Sequence, residues 1–154
     1  TSYSGLFDQD HFQSSCTGTS CFTSTCQKGR CFTGTYPPLS GGTSSSKGNS
    51  GGASTNGVCT ATPPATSLWE VESTWSNSAN HATYSVSIPG VSAAPKYIVE
   101  FMCYVPADPD APQPTDPPPY GVDWGFMFRV TALGTGVTES SRVMLQSTYK
   151  VLQK

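Results

Sequence analysis

The chain has 154 residues, only 12% of them charged, and a formal net charge of -2 with its eight Lys and Arg scattered along it. It is long enough for one cored domain, and with no basic stripe to follow a phosphate backbone it excludes nucleic acid as a partner. No apolar run approaches the roughly 20 residues of a membrane span, and no charged, apolar, small-residue leader opens the chain, so it reads as soluble and already mature or truncated.

Six cysteines in a Ser/Thr/Gly-rich, charge-poor chain point to an oxidising compartment. Cys16, Cys21, Cys26 and Cys31 recur at every fifth residue, with Cys59 and Cys103 further on. The even count predicts three disulfides, with the pairing open. Four thiolates can also hold zinc, but uniform four-residue gaps differ from the short knuckle spacing of zinc ribbons, so neither a metal nor any other cofactor is expected.

In chain order, residues 1–13 carry Tyr3, Leu6, Phe7 and Phe12, enough apolar surface to anchor the segment on a body. Residues 14–36 are Thr/Ser/Cys with Phe22 and Phe32 each following a cysteine, a pattern of short strands or stapled turns in which disulfides replace an apolar core. Residues 39–57 are Gly/Ser/Thr/Asn and cannot bury enough to offset their ordering entropy, which predicts an exposed, mobile loop. None of Asn49, Asn56, Asn77 or Asn80 begins an Asn-x-Ser/Thr sequon, leaving an O-glycosylated or an undecorated loop as the two readings of this surface. Ser67 followed three residues later by Glu70 has the capping-box form, and Leu68, Val71, Trp75 and Ala79 fall at helical spacing, predicting a short helix over 68–76 with Trp69 and Trp75 as packing residues. Residues 84–88 read as a short strand ended by Pro89-Gly90.

Three long apolar-rich runs follow, at 96–105, 123–132 and 142–152, rich in β-branched and aromatic residues. They read as antiparallel strands. The first sets Tyr97, Val99, Phe101, Cys103 and Val105 against Lys96, Ile98, Glu100, Met102 and Tyr104; both sets are largely apolar, so it should be central. In the second, Phe126, Phe128 and Val130 alternate with Met127, Arg129 and Thr131; in the third, Val143, Leu145, Ser147, Tyr149 and Val151 alternate with polar residues and Met144. Gly134 and Gly136 suit a reversing loop over 133–141, whereas the link over 106–122 carries seven prolines and should lie on the surface in a polyproline-like path. The fold class is α+β, mostly β: an antiparallel sheet with at most a short helix and long disulfide-stapled loops.

Little in this pattern is catalytic. His11 and His81 lie in polar stretches without a nucleophile arrangement, and there is no Gly-x-Ser-x-Gly elbow, phosphate loop, His-Glu-x-x-His or dinucleotide fingerprint, so the chain is not expected to be an enzyme. Asp108, Asp110, Asp116 and Asp123 are weak oxygen-ligand candidates for calcium, but the Gly and distal Glu of an EF-hand loop are missing; the plainer reading is solvated aspartates assisting turns.

Pro95-Lys-Tyr-Ile-Val-Glu100, Phe128-Arg-Val-Thr-Ala-Leu-Gly-Thr-Gly136 and Val143-Met-Leu-Gln-Ser-Thr-Tyr149 resemble, in order and rough spacing, motifs in the C-terminal region of PilX-type minor pilins of type IV pili. The resemblance covers a little over half the chain, and it departs from the family in lacking the N-terminal methylation motif and long apolar helix. It implies a single pilin-like headpiece over 1–154, comprising a Cys-rich segment (1–38), a flexible loop (39–57) and a pilin-like sheet region (66–154). It further implies a structural role in an extracellular or cell-surface filament, exported through an oxidising periplasm. Other pilin subunits, or a separate pilin-helix chain, would be the partners, with a surface ligand or glycan besides. On this reading the apolar face of Phe126, Phe128, Val130, Val143 and Leu145 packs on a helix supplied upstream or by another polypeptide. The competing reading is a secreted, disulfide-stabilised binding or adhesion module whose sheet is complete by itself.

Overall fold

A computed structural model describes residues 16–32, 67–111 and 123–152. Its centre is an open sheet of five strands: β1 (Arg30–Cys31), β2 (Ala82–Thr83), β3 (Lys96–Pro106), β4 (Trp124–Thr135) and β5 (Arg142–Leu152). The order is β1-β3-β4-β5, with β2 also paired to β3. All pairings are antiparallel except β1 with β3, which sets Arg30 beside Val99 and Cys31 beside Glu100 in parallel. The three long strands form where β-branched and aromatic residues concentrate, and β3, largely apolar on both sides, is an interior strand, as is β4.

Register decides the faces. Phe128 stands between Phe101 on β3 and Tyr149 on β5, and Phe126 between Tyr104 and Val151. Strict alternation predicts Phe101 and Tyr104 on opposite faces, but the structure puts them on the same one. The register shifts between Phe101 and Cys103, and the bulge at Met102 turns Tyr104 onto the Phe101 side and Cys103 onto the Met127 side. The aromatic face gathers Phe22, Phe32, Phe101, Tyr104, Trp124, Phe126 and Phe128 into one buried cluster, with Val99, Tyr149 and Val151 packed against it. Phe101 lies at its middle, its ring centroid 5.0 Å from that of Tyr104 and 5.6 Å from that of Phe128.

The other face is smaller and more polar. Cys26, Cys31, Trp75 and Ile98 form its core, flanked by Leu68, Trp69 and Leu133. Here the predicted helix over 68–76 resolves into two pieces, a 3₁₀ turn (Leu68–Glu70) and α1 (Glu72–Ser76), broken by Val71 in extended geometry (φ -82°, ψ 119°). The capping box is present, with the Ser67 N–H donating to the Glu70 carboxylate at 3.1 Å, but it organises only one turn before the β-branched Val71 restarts the helix as its N-cap. A five-residue helix has no stability of its own, so tertiary bonds hold it: the Trp75 indole donates to the Trp69 carbonyl at 2.8 Å and Lys96 Nζ to the Trp75 carbonyl at 2.7 Å. The strand expected over 84–88 is instead the two residues of β2. Tyr84 still donates to the Pro95 carbonyl at 2.8 Å, but Pro95 has no N–H to return and the ladder ends there.

The Cys-rich segment straddles the β3 edge. Phe22 and Phe32 reach the aromatic face, while the Cys26–Cys31 disulfide, fully buried, sits on the other. A second disulfide joins Cys16 to Cys21, and Cys103 is also disulfide-bonded; Cys59 lies outside the described residues. Gly29 makes the close approach possible. Its φ is +81°, and a Cβ there would stand 2.7 Å from the Ala82 nitrogen and 2.8 Å from the Tyr97 oxygen, so no side chain fits.

Candidate assembly surface

The chemistry-bearing residues singled out from sequence do not converge. His81 is buried, and its Nδ1–H donates to the Thr74 carbonyl at 3.0 Å, which ties the residue just before β2 to α1. His11 lies outside the described residues. Asp108 accepts from the Asp110 N–H at 3.0 Å, an Asx turn, and the Asp123 carbonyl accepts from the Ala107 N–H, closing the base of the proline-rich link. Asp116 lies outside the described residues, and among those described no three His, Cys, Asp or Glu come together as metal ligands.

One charge pair is built into the sheet. Glu100 on β3 and Arg129 on β4 are directly opposite, and the guanidinium donates twice, Nε to Oε2 at 2.7 Å and Nη2 to Oε1 at 3.0 Å. The carboxylate side chain is 1% exposed and the arginine 14%, so each depends on the other for its solvation. The pair is structural: it satisfies two charges on the face opposite the aromatic cluster.

The five residues expected to form a helix-packing face do share a side, because the register sets Val130 opposite Ser147, Ala132 opposite Leu145 and Gly134 opposite Val143. Their surroundings differ along the strand. Phe126 and Phe128 are fully buried in one cluster with this chain's own Phe22, Phe32 and Tyr104. Val130 is half-buried, whereas Val143 and Leu145 are 60% and 68% exposed. Tyr97, in one row with Ala132 and Leu145, is also exposed. The cover supplied by the Cys-rich segment thus ends partway along the sheet, and an apolar continuation of the buried face emerges into solvent. At the covered end Tyr149 stacks on Phe128 at 5.4 Å, and burial pushes its phenol above the ordinary value, keeping it neutral. Phe22 and Phe32 are the residues that sequence reasoning passed over: their placement just after a cysteine was visible, but their destination on a distant strand leaves no local signature.

No helix among the described residues is long and apolar enough to cross a membrane. No curated protein and no solved structure gives a significant match to the chain. A family described as "Type IV pilus assembly protein PilX C-term" matches residues 27–151, a span running from just before β1 to the penultimate residue of β5 and so reaching every strand of the sheet. With most of its length inside that match, the chain belongs to the PilX C-terminal family of type IV pilus assembly proteins.

Proposed function

We propose that this chain is a structural, non-catalytic subunit of a type IV pilus, or a related extracellular filament. It seats the uncovered end of its aromatic sheet face on a pilin helix supplied upstream or by a separate chain. The observation that carries the reading is the emergence of Val143 and Leu145, 60% and 68% exposed, from a face whose other end is fully buried. With Tyr97, Val130 and Ala132 they form a strip one helix could cover, each large side chain contributing roughly 1.5–3 kcal/mol on burial. Left bare, such a strip favours association. Disulfides suit passage through an oxidising periplasm to the cell surface. The exposed residues 108–111 are then available on the outside of an assembly for adhesive contacts with a surface ligand or glycan.

Leu145→Asp tests the joint. It should release the domain from filaments, or from a co-expressed pilin helix, while leaving its melting temperature nearly unchanged; Met144→Asp, on the opposite face, should be milder. Phe128→Asp is unsuitable for the purpose because Phe128 is 0% exposed and its loss would unfold the domain. Assembly of the Leu145→Asp chain as complete as the parent's would overturn the helix-seat reading. A second reading, a secreted adhesion module, draws support from the partial cover the chain provides for each of its own sheet faces. A monodisperse monomer indifferent to any pilin helix would favour it.

A further inference from the structure

The outer strand of the sheet is unusually open for an edge. β5 runs eleven residues, Arg142–Leu152, without Pro or Gly and without a register shift against β4, and no described element pairs with its outer side. Most of its residues are exposed, Val143, Leu145 and Leu152 strongly so. Edges are normally blunted by charges, prolines or bulges, because a straight row of free N–H and C=O groups is a template for another strand. Here only Arg142 and Lys150 are charged.

We infer that β5 pairs antiparallel with β5 of a second copy of this chain, about a two-fold axis at Ser147. Opposed residues in an antiparallel pair share a face, so a symmetric pairing must set some residue against itself, and Ser147 is the midpoint of the strand. In that register Val143 meets Val151, Leu145 meets Tyr149, Gln146 meets Thr148, Met144 meets Lys150 and Arg142 meets Leu152. Every residue of the strand is used and no like charges are opposed. Moving the axis to Gln146 would set Arg142 against Lys150, and moving it to Thr148 would leave Arg142 and Val143 beyond the partner's described strand. The same register brings the exposed Val143 and Leu145 of one copy beside the Val151 and Tyr149 that pack on the other copy's aromatic core, continuing that core across the joint. A strand edge buries little area, so the dimer is weak in dilute solution and is favoured by crowding on a surface or filament.

Single-cysteine variants read the register. At an axis the two copies of one residue lie about 4.5–5.5 Å apart, Cα to Cα, within disulfide reach. Purified S147C chain, oxidised mildly at high concentration, should run as a covalent dimer on a non-reducing gel. Q146C and T148C should each stay monomeric alone but cross-link when mixed. Equilibrium sedimentation then supplies a sign test at one exposed position: M144K places a second lysine opposite Lys150 twice per dimer and should weaken association roughly tenfold, whereas M144E should strengthen it by a similar factor. Failure of S147C to cross-link, equal cross-linking of all three variants alone, or equal effects of M144K and M144E would each overturn the inference.

Discussion

Replacing Arg129 by alanine is expected to cost the domain about 3–5 kcal/mol, far more than loss of an ordinary surface ion pair. The reason is the partner left behind. Glu100 is 1% exposed and takes two charge-assisted hydrogen bonds from Arg129, at 2.7 and 3.0 Å; without them the carboxylate would be buried with neither water nor a counter-charge. Replacing both residues by leucine removes the charge problem altogether and should be much less damaging, even neutral. Urea denaturation of the two variants separates the cases. A loss below about 1 kcal/mol for Arg129→Ala would show that water reaches the carboxylate after all.

Phe101→Ala should be comparably severe, at about 3–5 kcal/mol, because it empties the middle of the aromatic cluster. Its ring is 0% exposed and lies between those of Phe32, Tyr104, Phe126 and Phe128, all with centroids within 6.0 Å. Those neighbours belong to the Cys-rich segment, β3 and β4, so the cavity would loosen the cover from the sheet as well as the strands from each other. Set against a total stability of about 5–15 kcal/mol for a typical domain, either substitution could leave the chain marginally folded. Val143→Ala, on the same face but 60% exposed, serves as the control and should shift the denaturation midpoint only slightly. Equal losses for the two would mean that the aromatic cluster is not the core.

The sheet was largely legible in the sequence because its signals are local. The strands predicted over 96–105, 123–132 and 142–152 correspond to β3, β4 and β5, and the parity that joined Val143 and Leu145 to Phe126 and Phe128 is the observed one. What stayed hidden depends on contacts between distant residues or on choices the pattern does not penalise. The bulge at Met102 is of the second kind: β3 is apolar on both sides, so a one-residue slip leaves no misplaced polar side chain to betray it. The cover is of the first kind. Nothing near Phe22 or Phe32 announces β3, some seventy residues away, yet those two rings decide which part of the predicted packing face is available. The break at Val71 falls between, since helical spacing and a capping box argued for continuity and a single β-branched residue interrupted it.

The way the Cys-rich segment is bonded separates its shape from its attachment. Cys16–Cys21 and Cys26–Cys31 each close a sequence separation of only five, so both bridges staple the segment, β1 included, to itself and neither crosses to β3. What fastens it there is noncovalent: two parallel pairings with β3, the two phenyl rings, and the Lys28 N–H donating to the Ala79 carbonyl at 2.8 Å. The outline of the segment is thus fixed covalently, whereas its seat on β3 is held by packing and backbone hydrogen bonds.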